Sequence, residues 1–110
     1  MRWCGRLQRS SEIAHVRRRG RRANAPTLTA YAAETSTGGS RLAVTVSKAL
    51  GGAVVRNRVR RRIRSAFEAL RAPHPPLRIL VIMKPGAADR SYGQLAADVA
   101  DVLERLAGHP

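Results

Sequence analysis

Gly51-Gly52-Ala53-Val54-Val55-Arg56-Asn57-Arg58-Val59-Arg60-Arg61-Arg62-Ile63-Arg64 is the stretch that decides how this chain is read. Six arginines fall in the nine residues from Arg56 to Arg64. Apolar residues nevertheless recur at helical spacing. On a wheel of about 100° per residue, Val55, Val59, Ile63, Ala66, Phe67 and Leu70 line up as one stripe. Asn57, Arg58, Arg60, Arg61, Arg62 and Arg64 fill the remaining arc, with Arg56 at the stripe's edge in the first turn. A disordered basic tail would not keep this order. The pattern predicts a helix, from about Val54 to Leu70, that docks one side on a core and turns the other toward a polyanion.

The charge distribution supports that division. The chain has 110 residues and a net charge of +14, and two segments hold all of the excess. Residues 1–22 carry eight Arg against one Glu, and residues 48–64 carry Lys48 and six Arg with no acid. From residue 65 onward, five bases meet five acids. Charge of one sign gathered in this way marks a binding footprint more than general solubility. Like charges at i,i+4, such as Arg56/Arg60 and Arg60/Arg64, weaken an isolated helix.

A hydrophobic content of 44% argues against wholesale disorder, and the length suits one domain over residues 1–110. Residues 1–9 read as a flexible basic lead-in, with an ordered core over about 10–107. Ser10 or Ser11 is expected to cap a short helix that ends at Gly20. Thr27 to Ala32 alternates as a strand, with Leu28, Ala30 and Ala32 on one side and Thr27, Thr29 and Tyr31 on the other. Ser36 to Ser40 is a loop, Leu42 to Ser47 the next strand, and Leu77 to Met83 a run of buried-strand type interrupted by Arg78. Ser91 and Gln94 form a capping box ahead of a last amphipathic helix. The order α-β-β-α-β-α implies an α+β sandwich with one mixed sheet.

Catalytic chemistry finds little support. Asp98, Asp101 and Glu104 lie opposite the apolar stripe of the last helix and read as a solvated face, not as a metal cluster. His15, His74 and His109 stand in unrelated contexts without metal-ligand spacing. The single Cys4 can form no internal disulfide, which fits a reducing, cytoplasmic setting. No apolar run approaches the roughly 20 residues of a membrane span, and the basic N-terminus lacks the apolar core of a secretory signal. Arginine suits phosphate, being planar, permanently charged and bidentate. Gly51 and Gly52 permit close backbone approach at a helix start that itself favours anions.

The run Val46-Ser47-Lys48-Ala49-Leu50-Gly51-Gly52-Ala53-Val54-Val55-Arg56-Asn57-Arg58 and on to Arg64 closely resembles the signature of the bacterial ribonuclease P protein component family. A weaker resemblance extends over residues 7–107, through element order, Gly20 and Tyr31. The resemblance implies an α-β-β-β-α-β-α sandwich with one mixed four-stranded sheet and a left-handed βαβ crossover, ribosomal protein S5 domain 2-like. That crossover runs against the usual handedness. It also implies a short extra strand near Arg21–Asn24.

The implied function is that of a ribonucleoprotein subunit. The protein would bind the catalytic RNA subunit and the 5′ leader of precursor tRNA and assist endonucleolytic removal of that leader. Mg²⁺, held mainly by the RNA, would serve the chemistry, and no side chain here would be catalytic. Residues matching the RNA-binding motif are Lys48, Arg56, Asn57, Arg58, Arg60, Arg61 and Arg64, and Tyr31 matches a cleft aromatic. Ile13 and Arg17 stand where the family usually offers phenylalanines, Gly52 where it has Asn, and Arg62 at a commonly apolar position. Arg17 is expected to substitute by guanidinium stacking or by a phosphate contact. A general RNA-binding protein of ribosomal type would share the charge and size without requiring Arg-Asn-Arg behind a strand and Gly-Gly. A DNA-binding helical protein would need a helix-turn-helix pair, and none flanks the basic helix.

Crowded like charge over residues 48–64 predicts that anions favour the folded chain. Helicity by circular dichroism should rise on adding sulfate; equal spectra with and without it would contradict the expectation.

Overall fold

Alternation along Leu28–Glu34 sets the architecture. Leu28, Ala30 and Ala32 are buried on one side of this strand, while Tyr31 and Ala33 face the other. The computed structural model describes residues 3–36 and 38–107; Met1, Arg2, Thr37 and residues 108–110, with His109, lie outside it. Five strands form a single mixed sheet: β1 (Gly5–Arg6), β2 (Arg21–Asn24), β3 (Leu28–Glu34), β4 (Arg41–Thr45) and β5 (Leu77–Met83). Their order is β1-β4-β5-β3-β2. β3 runs antiparallel to both β2 and β5, and β4 is parallel to both β5 and β1. The helices are α1 (Ser10–Arg19), α2 (Ala53–Glu68) and α3 (Tyr92–Ala107). α2 therefore joins two parallel neighbours, β4 and β5.

The expected four-stranded sheet is corrected to five. The extra strand is β1, which lies in the segment expected to be a flexible lead-in. Gly5 N–H donates to Ser40 O and Leu7 N–H to Leu42 O, each at 3.0 Å. Trp3 Nε1 donates to Leu70 O at 2.8 Å, and Cys4 and Leu7 are buried. Two paired residues leave no periodicity to read, so burial of single apolar side chains, not a strand pattern, fixes residues 3–9. The short strand expected near Arg21–Asn24 is β2.

Two layers of helix cover the sheet unequally. α2 and α3 pack on one face: Val59, Ile63, Ala66 and Phe67 of α2, with Leu95, Val99, Val102, Leu103 and Leu106 of α3, meet Leu28, Ala30, Ala32, Leu42, Ile79 and Val81. Fully burying one such Val, Ile or Phe stabilises by roughly 1.5–3 kcal/mol. α1 covers part of the other face, where Val16 packs with Leu7 and Leu80, flanked by Ile13, Tyr31, Ala33, Ala43 and Ile82. β5 is thus enclosed from both sides, which accounts for its nearly unbroken apolar run. Its exception, Arg78, is buried; its Nε donates to Glu12 Oε2 at 3.3 Å and its Nη1 to Gly39 O, tying α1, β5 and a loop together.

The helix ends follow local chemistry. Ser91 Oγ accepts from Gln94 N–H at 3.2 Å and Gln94 Oε1 accepts from Ser91 N–H at 2.9 Å, the reciprocal capping box. Neither Ser10 nor Ser11 caps α1; the helix begins at Ser10, placing both in its first turn behind Arg9. Gly20 ends α1 in an extended conformation, φ −73°. Its glycine is required by space: a Cβ there would lie 2.4 Å from Val16 O and 2.8 Å from Ala32 O. Gly20→Ala should therefore destabilise by roughly 1–3 kcal/mol, the usual cost of overpacking. Urea unfolding measures it, and a change below about 0.5 kcal/mol would show that α1 and β3 separate at little cost.

Candidate nucleic-acid interface

α2 presents its arginines because its opposite stripe is consumed by the core. Asn57, Arg58, Arg60 and Arg61 are exposed. Arg60 Nη1 donates to Asn57 Oδ1 at 2.9 Å, which spreads the guanidinium along the helix. A cleft of about 740 Å³ opens beside this face. Asn57, Arg60, Arg61 and Arg64 form one wall, Arg6, Gln8 and Ile13 contribute the other side, and Ala43, Val44 and Thr45 line it between them. β1 pairs with β4 only at Arg41 and Leu42, so the rest of β4 is an uncovered edge in that cleft. Four arginines and no carboxylate line it.

Arg64 has a different setting from its neighbours. Its Nη2 donates to Leu42 O at 2.9 Å, and its Nη1 reaches Cys4 O at 3.3 Å and Gly5 O at 3.4 Å. The guanidinium clamps α2 to the β1–β4 edge and forms the cleft wall in the same act. Cys4 lies beneath it, with Sγ 3.8 Å from Glu68 Oε2. Burial pushes the Cys4 thiol up, Arg64 opposing and Glu68 adding to the rise, which disfavours the thiolate that a nucleophile needs.

The three residues expected along a leader also come together. Ile13 and Tyr31 belong to the apolar cluster under α1. The Arg17 guanidinium sits 5.8 Å from the centre of the Tyr31 ring, within cation–π range. Ile13 lines the same cleft as the α2 arginines. Other motif residues lie apart from it. Lys48 is exposed on a short 3₁₀ turn before α2. Arg56 is half-buried, and its Nε is shielded without a hydrogen-bond partner among the described residues. Arg58 faces the far flank of α2, beside Arg62, Ser65 and Tyr92.

Rival chemistry gains no site. Asp98 is not on a merely solvated face: its Oδ2 accepts from Thr27 N–H at 3.0 Å and from Thr27 Oγ1 at 2.6 Å, pinning the start of β3. Asp101 pairs with Arg105 at 2.9 Å. Among the described residues no group of three His, Cys, Asp or Glu could hold a metal ion, and no helix is long and apolar enough to cross a membrane. The cleft offers Mg²⁺ four guanidiniums and no carboxylate, so the donors present do not fit a protein-held metal. Sequence reasoning missed Arg6 and Gln8 as cleft residues because Arg6 lies in, and Gln8 just after, a strand too short to recognise. The buried-type side chains Cys4 and Leu7 were the signal available.

An α+β domain with an arginine-lined cleft defines a protein of the nucleic-acid-binding class. The ribonuclease P family model matches residues 1–107, and the chain belongs to the ribonuclease P protein component family. The ribonuclease P protein component of Streptomyces avermitilis is 41% identical, covering 94% of this chain and 92% of that one. The solved RNase P protein of Staphylococcus aureus superposes with a TM-score of 0.82 at 26% identity, covering 91% and 93% of the two chains. That of Thermotoga maritima gives 0.82 at 18% identity over 94% and 98%, which speaks to the fold alone. The family works with an RNA subunit in maturing the 5′ end of tRNA, as part of a ribonucleoprotein endonuclease.

The clamp separates two arginines that look alike in sequence. Arg64→Ala should lower unfolding stability by roughly 1–3 kcal/mol, while Arg60→Ala should stay within about 0.5 kcal/mol of the parent. Equal losses in denaturant titrations would contradict the assignment.

Proposed function

We propose that the cleft is where this chain joins the two RNAs of the reaction. Asn57, Arg58, Arg60 and Arg61 bind the catalytic RNA subunit, with Lys48 and Arg56 contributing at the helix start. Ile13, Arg17 and Tyr31 guide the 5′ leader of precursor tRNA. Arg64, matched to the same motif, serves mainly by holding the cleft wall, with its outer edge toward RNA. The observation that carries this reading is the continuity of the cleft, which runs from Ile13 on α1 past the bare edge of β4 to Arg60 and Arg61 on α2.

The reaction is hydrolysis of the phosphodiester bond between leader and tRNA, leaving a 5′-phosphate on the mature tRNA. Mg²⁺ supplies metal chemistry from sites made by RNA phosphates. The chain's own residues bind, orient and neutralise. Their guanidiniums stay charged throughout, so they offset phosphate repulsion without taking part in proton transfer. Arg17 over Tyr31 supports a stack in which the guanidinium plane takes the place of an aromatic side chain. A left-handed crossover of α2 between β4 and β5, and a cytoplasmic setting, belong to the same reading.

Reconstitution tests it. Purified protein added to its catalytic RNA at low Mg²⁺ should stimulate precursor tRNA cleavage; no stimulation at any salt concentration would leave only a general RNA-binding protein. Binding should weaken with salt at a slope near −0.9 per neutralised duplex phosphate, or about −0.7 for a single strand. Arg60→Ala and Arg61→Ala should each lower that slope by about one contact. Arg17→Ala should reduce the affinity gained from a longer 5′ leader by roughly five- to tenfold, the low end of base-stacking effects. A leader-length dependence equal to the parent's would remove Arg17 from the site.

A further inference from the structure

The flank of α2 turned away from the cleft holds a second depression, of about 410 Å³, lined by Arg58, Arg61, Arg62, Ser65 and Tyr92. Tyr92 is 40% exposed at the start of α3. The chain has four aromatic side chains, and the other three are engaged. Phe67 is buried, Trp3 is bonded to Leu70 O, and Tyr31 is half-buried with Arg17 against its ring. Tyr92 thus offers the open aromatic surface. Its hydroxyl lies 3.5 Å from Ser65 Oγ, a long contact that sets the outer end of the ring beside α2. Three guanidiniums border the depression and no carboxylate does.

We propose that this depression is a nucleotide site: an unpaired base of the catalytic RNA subunit stacks on Tyr92 while its phosphate is held by Arg58 and Arg62. The assignment rests on the function proposed above and extends it to a surface outside the cleft. An aromatic face beside fixed cations is the combination that single-stranded nucleic acid requires. Stacking is indifferent to base identity and the guanidiniums take the backbone. Arg61 borders both the cleft and this depression, so one RNA segment crossing the arginine ridge meets both.

The test uses the full chain and its catalytic RNA, with Arg60→Ala as the reference for cleft binding. Tyr92→Phe keeps the ring and should bind within about twofold of the parent. Tyr92→Leu keeps apolar bulk but loses the π face; its affinity should fall roughly five- to hundredfold with an unchanged salt slope, the range of base–aromatic stacking. Arg62→Gln should lower the slope by about one. Tyr92→Trp supplies a readout that does not depend on how well the leucine variant folds. Its emission, beyond that of Trp3 in the parent, should be quenched when RNA binds. Equal affinities for the Phe and Leu variants, an unchanged slope for Arg62→Gln, or no added quenching would each overturn the site. So would a loss confined to precursor tRNA binding by the assembled holoenzyme, which would assign Tyr92 to the substrate instead. If Arg60→Ala also leaves RNA affinity and slope unchanged, the proposed function falls with the site; if only the Tyr92 and Arg62 variants are silent, this inference alone falls.

Discussion

Everything in this structure depends on holding a self-repelling helix in place. α2 carries six arginines within nine residues, and its single acid, Glu68, is at its last position. Each like-charged i,i+4 pair costs a few tenths of a kcal/mol in an isolated helix. The apolar stripe outweighs that cost. Val59, Ile63, Ala66 and Phe67 are buried against the sheet and α3, and each large side chain contributes roughly 1.5–3 kcal/mol. Helix formation is therefore a tertiary effect here, not one of intrinsic propensity. The ion pairs Glu12–Arg78 and Asp101–Arg105 both lie outside α2.

The same demand explains the N-terminal segment. Arg64 points toward β1 and β4 and bonds three backbone carbonyls across them. One arginine of the cluster thus becomes a structural fastener, and carbonyl dipoles take up its charge. Because β1 spans only Gly5–Arg6, the fastening stops where the cleft begins. A longer β1 would cover β4 and close the route between α1 and α2. A missing one would leave Arg64 with Leu42 O alone of its three carbonyls. The shortness of this strand is a condition of the site.

Much of this was legible in the residues. The stripe and arc of α2, the alternation of β3, the capping box at Ser91 and the boundaries of β5 all arise from local periodicity or local hydrogen bonding, which sequence order records directly. What escaped depends on contacts between distant residues. β1 has two residues and no period. Asp98 looks like any exposed acid until Thr27 arrives from 71 positions away. Arg78 looks like a break in a buried strand until Glu12 and Gly39 meet it. Arg60 and Arg64 occupy equivalent places in the basic arc, and only the position of β1 gives them separate tasks. The motif located the interface, but division of labour within it required the sheet edge.

That division bears on how arginines can serve a nuclease subunit. An acid or base acts through a proton it gains or loses, so its pKa must lie near the working pH. An arginine does neither, and its charge is as available to a product phosphate as to a substrate phosphate. A cleft built from arginines therefore acts through charge and position, not through proton transfer. Position matters because RNA held in one register lets reacting groups meet as neighbours. The repulsion stored among the arginines serves the same end, because it is relieved when phosphates arrive. Anything that binds the folded chain preferentially also shifts it toward that fold. By that linkage, a polyanion bound to the arginine face also stabilises the helix that the chain holds against its own charge.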